Sequence, residues 1–475
     1  MALRIQIDTK TLAALGAPRL AELLIEISAG DAALKRRLRL ELAGPQAAAK
    51  EIRKRLATIA RSRSYVEWEQ HKALVKDLEA QRQGIVTQVG ATDPAEALEL
   101  MWRFLDLADG VHRRADDSNG DVSAVFTAAC RDLGPLAAAA RAEPIALADR
   151  VYAALQGTSY GQHDELIETL APALGGVGLE HLKARFIELS KIPVERPPQA
   201  QRRAVAWGSG GAYYADEMEA SHRASTIRLA LRDIADAQGD VEAFIAQYDA
   251  KARKAPTIAA EIARRYLAAG RAEDALRALD QATPQRIGWT DFVWEDARID
   301  TLDALARGAE AQAVRWACFE QTLSAPHLRD YLKRLPDFDD VEVEQRALEY
   351  ALAYSDRTAA LYFLVSWPAL DRAAKLVLGW GKEIDGNRYD ILTPAAQALG
   401  GKYPLAATLA LRAMIGFTLV HARASRYRHA ARHLQECASL AGAITFFGAH
   451  EGHDAYVAKL RAAHGRKSGF WSLMV

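Results

Sequence analysis

Residues 262–280 read IARRYLAAGRAEDALRALD, and this stretch indicates the fold class more clearly than any other. Its apolar side chains recur every three or four residues on both sides of Gly270, which is the spacing of one face of an α-helix. A glycine between two such segments frees the backbone for a turn. The sequence therefore predicts a helical hairpin, in which small residues such as Ala263 and Ala275 let the two helices approach closely.

The same helical spacing extends through most of the chain. Ala accounts for 95 of the 475 residues, and it has the highest helix propensity because it loses no side-chain entropy on folding. No stretch alternates apolar and polar residues convincingly with a period of two. We therefore predict an all-α protein, built of helical hairpins that stack as a degenerate α-solenoid of the tetratricopeptide or HEAT type.

The spacing of three glycines supports a repeat. Gly239, Gly270 and Gly308 each lie at a predicted turn, 31 and 38 residues apart, which is typical of helical repeats. Around Gly308 the likeness to a tetratricopeptide repeat is limited to Gly308, Ala313 and Ala317. Around Gly270 the sequence resembles that repeat in more detail, at Ile262, Ala263, Tyr266, Gly270, Ala275, Leu279 and Ala282.

Proline and glycine residues mark a predicted boundary at residues 191–214. Proline removes a helix donor and glycine frees the backbone, so this segment is predicted to be a loop or linker. Its glycine-rich part, WGSGGAYY at 207–214, has no G-K-[ST] after it and no predicted strand before it, which favours a flexible junction over a ligand-contacting loop. The predicted regions are hairpins over 1–190, this linker, tetratricopeptide-like repeats over 215–335 and further hairpins over 336–475.

Charge and cysteine content exclude several classes of protein. Lys plus Arg and Asp plus Glu both number 61, so any electrostatic function must be local. The three cysteines lie far apart, which argues against a disulfide framework and favours a reducing, cytoplasmic compartment. No signal peptide is predicted at the N-terminus. The longest apolar run, 405–420, is too short for a membrane span and contains Arg412, so no membrane segment is expected.

Several longer stretches resemble one known family. They are IADAQGDVEAFIAQYD at 234–249, the 262–280 stretch, YRHAARHLQECASLAG at 427–442 and HDAYVAKLRAAHGRKSGFW at 453–471. They resemble an uncharacterised, all-helical bacterial family known mainly from alphaproteobacteria, most closely over residues 215–475. They resemble more distantly the helical region that accompanies SWIM zinc fingers. The C-x-C pair of the SWIM motif is missing, so the resemblance implies neither a zinc site nor a known activity.

Residues 35–63 form the most basic stretch of the chain. It contains ten Lys and Arg residues and only two acidic residues, Glu41 and Glu51, so its local charge is near +8. Such a surface can neutralise the phosphates of nucleic acid. Ile52, Leu56 and Ile59 interleave with the charges, which also fits an ordinary solvated face of an amphipathic helix. The candidate polyanion-binding residues are Lys35, Arg36, Arg37, Arg39, Lys50, Arg53, Lys54 and Arg55.

Tryptophans are concentrated in one stretch of the chain. Trp289, Trp294, Trp316, Trp367 and Trp380 fall within about 90 residues. Aromatic side chains dominate recognition hot spots, so they are candidates to line a binding groove, and the alternative is that they fill the core between Ala-rich helices. The candidate partner-binding residues are Trp289, Trp294, Arg315 and Trp316.

Two histidine groups suggest metal chemistry on first inspection. His429, His433 and Cys437 follow each other at intervals of four on one predicted helix. The first and last lie about 12 Å apart along the axis, so at most two can share an ion. Packing against the helix over 403–421 explains them without metal. The sequence HEGH at 450–453 lacks the H-E-x-x-H spacing and favours a turn and a helix cap.

No catalytic constellation or cofactor motif emerges from these patterns. We therefore predict a non-enzymatic intracellular scaffold or adaptor, which binds a protein or peptide partner on a helical-repeat surface and needs no cofactor or metal. The alternative is a nucleic-acid-associated protein that uses the basic helix face at residues 35–63.

Overall fold

The computed structural model describes residues 8–30, 34–35, 38, 45–157, 160–198, 201–208, 211–282 and 292–474. Helices occupy most of these residues, and the described strands form one two-stranded sheet. The predicted all-α fold class is therefore confirmed. The chain forms two compact units, Met1–Ala252 and Arg253–Val475.

The first unit is a succession of helices connected by short turns. A π-helical turn, Ile85–Val89, continues one of them, and another is interrupted at Gly175. The helices described in this unit are α1 (Thr9–Ala13), α2 (Ala17–Ser28), α3 (Pro45–Arg61), α4 (Trp68–Gly84), α5 (Pro94–Leu105), α6 (Ala108–His112), α7 (Asp121–Ala140), α8 (Pro144–Gln156), α9 (Leu166–Lys191), α10 (Ala215–Gln238) and α11 (Val241–Ala246).

The core of the first unit lies between α5, α7, α8 and α9, which pack on one another. Helix α3 adds Ile52, Leu56 and Ile59, all of them buried. The apolar stripe that interleaves with the basic residues of α3 therefore faces the core. Burial of this stripe orients the remaining side chains of α3 and sets which of its charges can meet a ligand.

A β-hairpin lies within residues 191–214. Strand β1 (Ala204–Gly208) pairs antiparallel with β2 (Gly211–Tyr214), so the prediction that no strand precedes the glycine-rich stretch was wrong. All five residues of β1 are exposed, and a strand with no buried face has no alternation that a sequence pattern can reveal. The hairpin belongs to the first unit, as does α10, which packs on α9.

The second unit is also helical throughout its described residues. Its helices are α12 (Pro256–Ala268), α13 (Ala272–Asp280), α14 (Val293–Ala304), α15 (Gly308–Thr322), α16 (Ala325–Leu332), α17 (Asp339–Leu352), α18 (Arg357–Ser366), α19 (Leu370–Trp380), α20 (Tyr389–Leu399), α21 (Pro404–Val420), α22 (Tyr427–Ala441), α23 (His453–His464) and α24 (Ser468–Trp471).

The hairpin predicted from residues 262–280 is present as α12 and α13. Ala263, Ala275 and Leu279 are buried between the two helices. Gly270 adopts a φ of 72°, a left-handed conformation that ends α12 and that glycine adopts without steric cost. At the next turn Ala306 takes the left-handed conformation, with a φ of 56°. Gly308, predicted at that turn, instead begins α15.

Helix α21 lies at the centre of the second unit. It packs against α19, α20 and α22, and most of its residues are buried. A helix that is apolar nearly all round is expected in such a central position. In the part of the chain that the structure describes, no helix combines the length and the apolar character needed to cross a membrane.

Candidate functional site

The buried part of α21 carries a charged side chain, Arg412, of which only 8% is exposed. Its Nη1 atom donates a hydrogen bond to the backbone oxygen of Glu451 at 2.8 Å. Its Nε and Nη2 atoms have no hydrogen-bond partner among the described residues. Burial lowers the pKa of Arg412, because an apolar environment disfavours the charged form. Arg412 is thus a buried cation of which two of the three guanidinium nitrogens have no partner among the described residues.

Other arginines of the chain show what the same nitrogen atoms do when a carboxylate is present. Arg131 donates from Nε and Nη2 to the two oxygens of Glu165, at 2.5 and 2.7 Å. Arg307 holds Glu310 in the same way, at 2.6 and 2.7 Å. This two-point arrangement is the strongest geometry for an arginine and a planar anion. Within the described ranges, Arg412 forms no ion pair of this kind.

A cavity of about 740 Å³ lies next to this arginine, and we name it the Arg412 cavity. Three parts of the second unit line it: the turn after α19, one face of α21, and the first turns of α23 with the segment that leads into them. Its lining residues are Gly381, Ile384, Asp385, Gly386, Leu409, Arg412, Ala413, Gly416, Phe417, Val420, His421, Ala449, His450, Glu451, Tyr456 and Lys459.

Two glycines shape the cavity in different ways, because one allows a close backbone contact and the other leaves open space. A Cβ atom at Gly386 would lie 2.0 Å from the backbone oxygen of Ala413, so only glycine lets the turn after α19 approach α21 this closely. A Cβ atom at Gly416 would meet no atom within 4 Å. Gly416 therefore leaves open space along the wall of α21, one turn beyond Arg412.

The charges that line the cavity are unevenly paired. Lys459 donates from Nζ to Oε1 of Glu451 at 2.5 Å. Asp385 accepts the backbone N–H of Asn387 at 2.9 Å. Arg412 contacts the ring of Tyr456, with its Cζ atom 4.3 Å from the ring centre, and this cation–π contact supplies no counter-charge. The arrangement is therefore suited to binding an anion at Arg412.

Tyr456 and His453 complete the surroundings of the guanidinium group. The Tyr456 hydroxyl donates to the backbone oxygen of Arg412 at 3.4 Å, and burial raises the pKa of this phenol. Burial, together with the charge of Arg412, lowers the pKa of His453. The Nδ1 atom of His453 is buried and has no partner among the described residues. Both side chains are therefore neutral at pH 7, and neither supplies a negative charge to Arg412.

One protein-family model matches nearly the whole chain. The model of the family described as "Family of unknown function (DUF6880)" matches residues 3–473. The chain belongs to this family. No curated protein and no solved structure matches it. The expected membership of an uncharacterised family is confirmed, and it extends beyond residues 215–475. The SWIM and tetratricopeptide resemblances of this DUF6880 protein stay predictions.

The candidate groove residues of the DUF6880 protein occupy different environments. Trp294 is half-buried and donates from Nε1 to the backbone oxygen of Leu279 at 3.3 Å. Trp316 is also half-buried, and its Nε1 donates to Glu320 at 2.7 Å. Each tryptophan thus has its own set of contacts within the unit. Trp289, a third candidate of the group, lies outside the described residues.

Arg315, the remaining candidate of this group, is an interior residue. It is 1% exposed and pairs with Asp303 and with Asp330, the latter at 2.8 Å. Two carboxylates already satisfy its charge, so it forms a structural link between α14, α15 and α16. The structure therefore places Arg315 away from any exposed groove.

The basic stretch is partly neutralised by the protein itself. On α3, Arg53 pairs with Glu96, and Arg55 donates to Asp77 from Nε at 2.8 Å. Lys50 and Lys54 are exposed one turn apart on the same helix. Lys35 donates to the backbone oxygen of Ala29 at 2.7 Å. Arg36, Arg37 and Arg39 of the same group lie outside the described residues.

Two of the three α22 residues considered for metal binding pack as the alternative without metal expects, and the third does not. His433 and Cys437 are buried, and the thiol of Cys437 lies 3.9 Å from the backbone oxygen of Thr408 on α21. His429 is exposed. No group of three His, Cys, Asp or Glu side chains in the described residues is arranged to hold a metal ion. In HEGH, Gly452 is the N-cap of α23 and His453 its first residue, so the predicted helix cap is confirmed.

In the sequence, Arg412 argues against a membrane span but does not by itself indicate a binding site. A local signal was present, because one charge interrupts sixteen otherwise uncharged residues of a helix. Such a charge is either paired or functional. The sequence does not reveal whether Arg412 is paired or functional, because the residues around it come from segments up to 44 positions away.

Proposed function

We propose that the DUF6880 protein is an intracellular, non-enzymatic binding protein whose second unit recognises an anionic group of its partner through Arg412. One observation carries this proposal: a guanidinium group that is 8% exposed lines a cavity of about 740 Å³ while its Nε and Nη2 atoms lack partners among the described residues. An uncompensated buried charge is costly. An anion in the cavity would compensate it.

Several features support an adaptor of the kind expected from the sequence. In the second unit, α12 to α16 contact mainly their neighbours along the chain, as stacked helical hairpins do. The cavity has the size of known small-ligand sites, ~300–1,000 Å³. Burial raises the pKa of Cys130, Cys318 and Cys437 to about 12, which suits inert thiols of a reducing compartment.

The test compares wild-type protein with Arg412→Met in thermal unfolding with acetate, benzoate and inorganic phosphate. A ligand that binds only the folded state raises Tm. We expect at least one anion to raise the Tm of the wild type and to leave Arg412→Met unchanged. The matched control is Arg428→Met, which removes an exposed arginine of α22 in the same unit. Equal responses of wild type and Arg412→Met, or no response to any anion, would exclude the proposal.

The alternative is binding of nucleic acid by α3. It is supported by the exposed ammonium groups of Lys50 and Lys54, which lie on one face of the helix. The pairing of Arg53 and Arg55 with carboxylates reduces the charge available on this face. The Arg412 cavity is therefore the better-supported site.

A further inference from the structure

We infer that the ligand of the Arg412 cavity is a single carboxylate attached to an apolar body. The C-terminal end of a peptide with an apolar last residue and a medium-length aliphatic acid share this chemistry. The inference rests on the proposed function, and it adds the class of anion and the character of the rest of the ligand.

The charge of the cavity favours a monoanion. Glu451 and Lys459 neutralise each other as an ion pair, and Asp385 adds a further negative charge to the lining. The lining therefore carries two positive charges, Arg412 and Lys459, and two negative charges, Asp385 and Glu451, so a monoanion adds the least negative charge to it. A phosphate monoester carries between one and two negative charges at pH 7, and its extra charge would lie in a cavity that already contains the carboxylates of Asp385 and Glu451.

The shape of the available donors favours a planar, two-oxygen anion. Nε and Nη2 lie on the same edge of the guanidinium group, and that edge binds both oxygens of Glu165 in the case of Arg131. A free carboxylate presents the same two oxygens at the same spacing. Both Arg412 nitrogens are shielded from bulk solvent, and in a low-dielectric site such a charge-assisted pair is strong.

Tyr456 lies directly beside the guanidinium group of Arg412. Its ring covers the guanidinium group at 4.3 Å and also lines the cavity. We expect a ligand that reaches Nε and Nη2 to displace this ring. The change should be visible in the near-ultraviolet spectrum or the NMR signals of Tyr456, independently of any affinity measurement.

Most of the wall that α21 forms is apolar, and the remaining lining also includes His421 and His450. Leu409, Ala413, Phe417 and Val420 of α21 line the cavity at the spacing of one helix face, and Ile384 lies in the turn after α19. The open space beside Gly416 continues this wall. A ligand whose carboxylate contacts Arg412 would therefore place its body against hydrocarbon, and removal of an apolar chain from water favours binding.

The test uses probes that differ only in the head group. Octanoate, octyl phosphate and octan-1-ol are titrated into the full-length protein by calorimetry. We expect octanoate to bind about tenfold or more tightly than either of the others, a difference of ~1.4 kcal/mol per factor of ten. Arg412→Lys should weaken octanoate binding, because an ammonium group lacks the planar fork, and Arg412→Met should abolish it.

A pair of glycine variants tests the location of the apolar body. Gly416→Leu places a side chain in the open space of the cavity, and Leu is a better helix former than glycine, so the fold should be retained. Gly379→Leu is the matched control, because Gly379 lies exposed in α19 with nothing within 4 Å and outside the cavity lining. We expect Gly416→Leu to block octanoate binding and Gly379→Leu to leave it unchanged.

A peptide pair identifies the source of the carboxylate. An apolar tripeptide is compared with its C-terminal amide. Tighter binding of the free acid than of octanoate would support a protein C-terminus as the ligand, and octanoate binding without peptide binding would support a small organic acid. Both outcomes support a carboxylate on an apolar body.

The contradicting outcomes separate this inference from the proposed function. Binding of octyl phosphate that depends on Arg412, without binding of octanoate, would overturn the carboxylate inference and leave anion recognition standing. Octanoate binding that persists in both Arg412→Met and Gly416→Leu would overturn the inference and its location. Failure of every anionic probe would overturn the proposed function as well.

Discussion

Gly386 lies directly against the backbone of Ala413, so closely that a Cβ atom at position 386 would be 2.0 Å from the Ala413 carbonyl oxygen. This contact joins the turn after α19 to α21 and positions one wall of the Arg412 cavity against another. The backbone of the turn therefore lies directly against the backbone of α21 at this wall.

Substitution of Gly386 by Ala should lower the stability of the protein and disturb the cavity. The added methyl group forces the backbone of the turn away from Ala413, and such overpacking costs ~1–3 kcal/mol. Urea unfolding measures the change. Gly379→Ala is the control and should be neutral or slightly stabilising, because its Cβ atom meets open space and Ala is the better helix former. Equal stability of the two variants would contradict the close contact.

Removal of Arg412 and removal of Arg315 should have different effects on stability. Arg315→Met removes a buried guanidinium group that bonds Asp303 and Asp330, which then keep Arg334 as their cationic partner. Loss of these buried charge-assisted hydrogen bonds should cost on the order of 1–3 kcal/mol. Arg412→Met removes a buried charge that lacks a carboxylate partner among the described residues, so the free energy of unfolding should stay within about 1 kcal/mol of wild type.

Urea unfolding at pH 7 in buffers free of carboxylates and phosphate measures both variants. A loss for Arg412→Met as large as that for Arg315→Met would mean that Arg412 stabilises the fold through a partner inside the protein. The binding role of Arg412 would then lose its physical basis.

The stability of the second unit should decrease at mildly acidic pH because of His433. Burial lowers the pKa of His433 to about 4, and the positive charge of Arg432 acts in the same direction. The unfolded chain, with a histidine pKa near ~6.5, therefore binds the proton first. The stability that neutral His433 contributes is fully present above the unfolded-state pKa of ~6.5. As the pH falls from about 6.5 to 4, this contribution decreases by on the order of 1–3 kcal/mol.

The measurement is the free energy of unfolding at pH 7 and pH 5 for wild type and for His433→Leu. We expect a smaller decrease in the variant. His429→Leu, which changes an exposed histidine one turn earlier on α22, should keep the wild-type decrease. An unchanged pH dependence in His433→Leu would show that other groups are responsible.

If the basic face of α3 binds nucleic acid, Lys50 and Lys54 should carry most of the interaction. The double variant Lys50→Glu, Lys54→Glu should lose retention of labelled DNA and RNA, and the salt dependence of binding should fall by ~0.9 per lost phosphate contact. Lys251→Glu, Lys254→Glu is the control, because it makes the same change in net charge at exposed lysines outside residues 35–63. Equal retention by both double variants would contradict a specific role of α3.

Part of this architecture was predictable from short-range patterns. The hairpin over residues 262–280 follows from apolar residues three and four positions apart, and the left-handed Gly270 follows from the need for a turn between them. The next turn was predicted less exactly, because Ala306 rather than Gly308 adopts the positive φ. The exposed hairpin of β1 and β2 was missed, since no burial alternates along its first strand.

The sequence by itself determined the all-α class, because helix formation depends on neighbours within about four residues. Only the tertiary structure decided that Arg315 meets two carboxylates while Arg412 meets a backbone carbonyl 39 residues away and a cavity. Arg315 and Arg412 both lie on helices, and the sequence of each helix does not determine which other segments pack against it. The role of a buried charge depends on the groups that distant segments bring to it, and those groups follow from the packing of the whole unit.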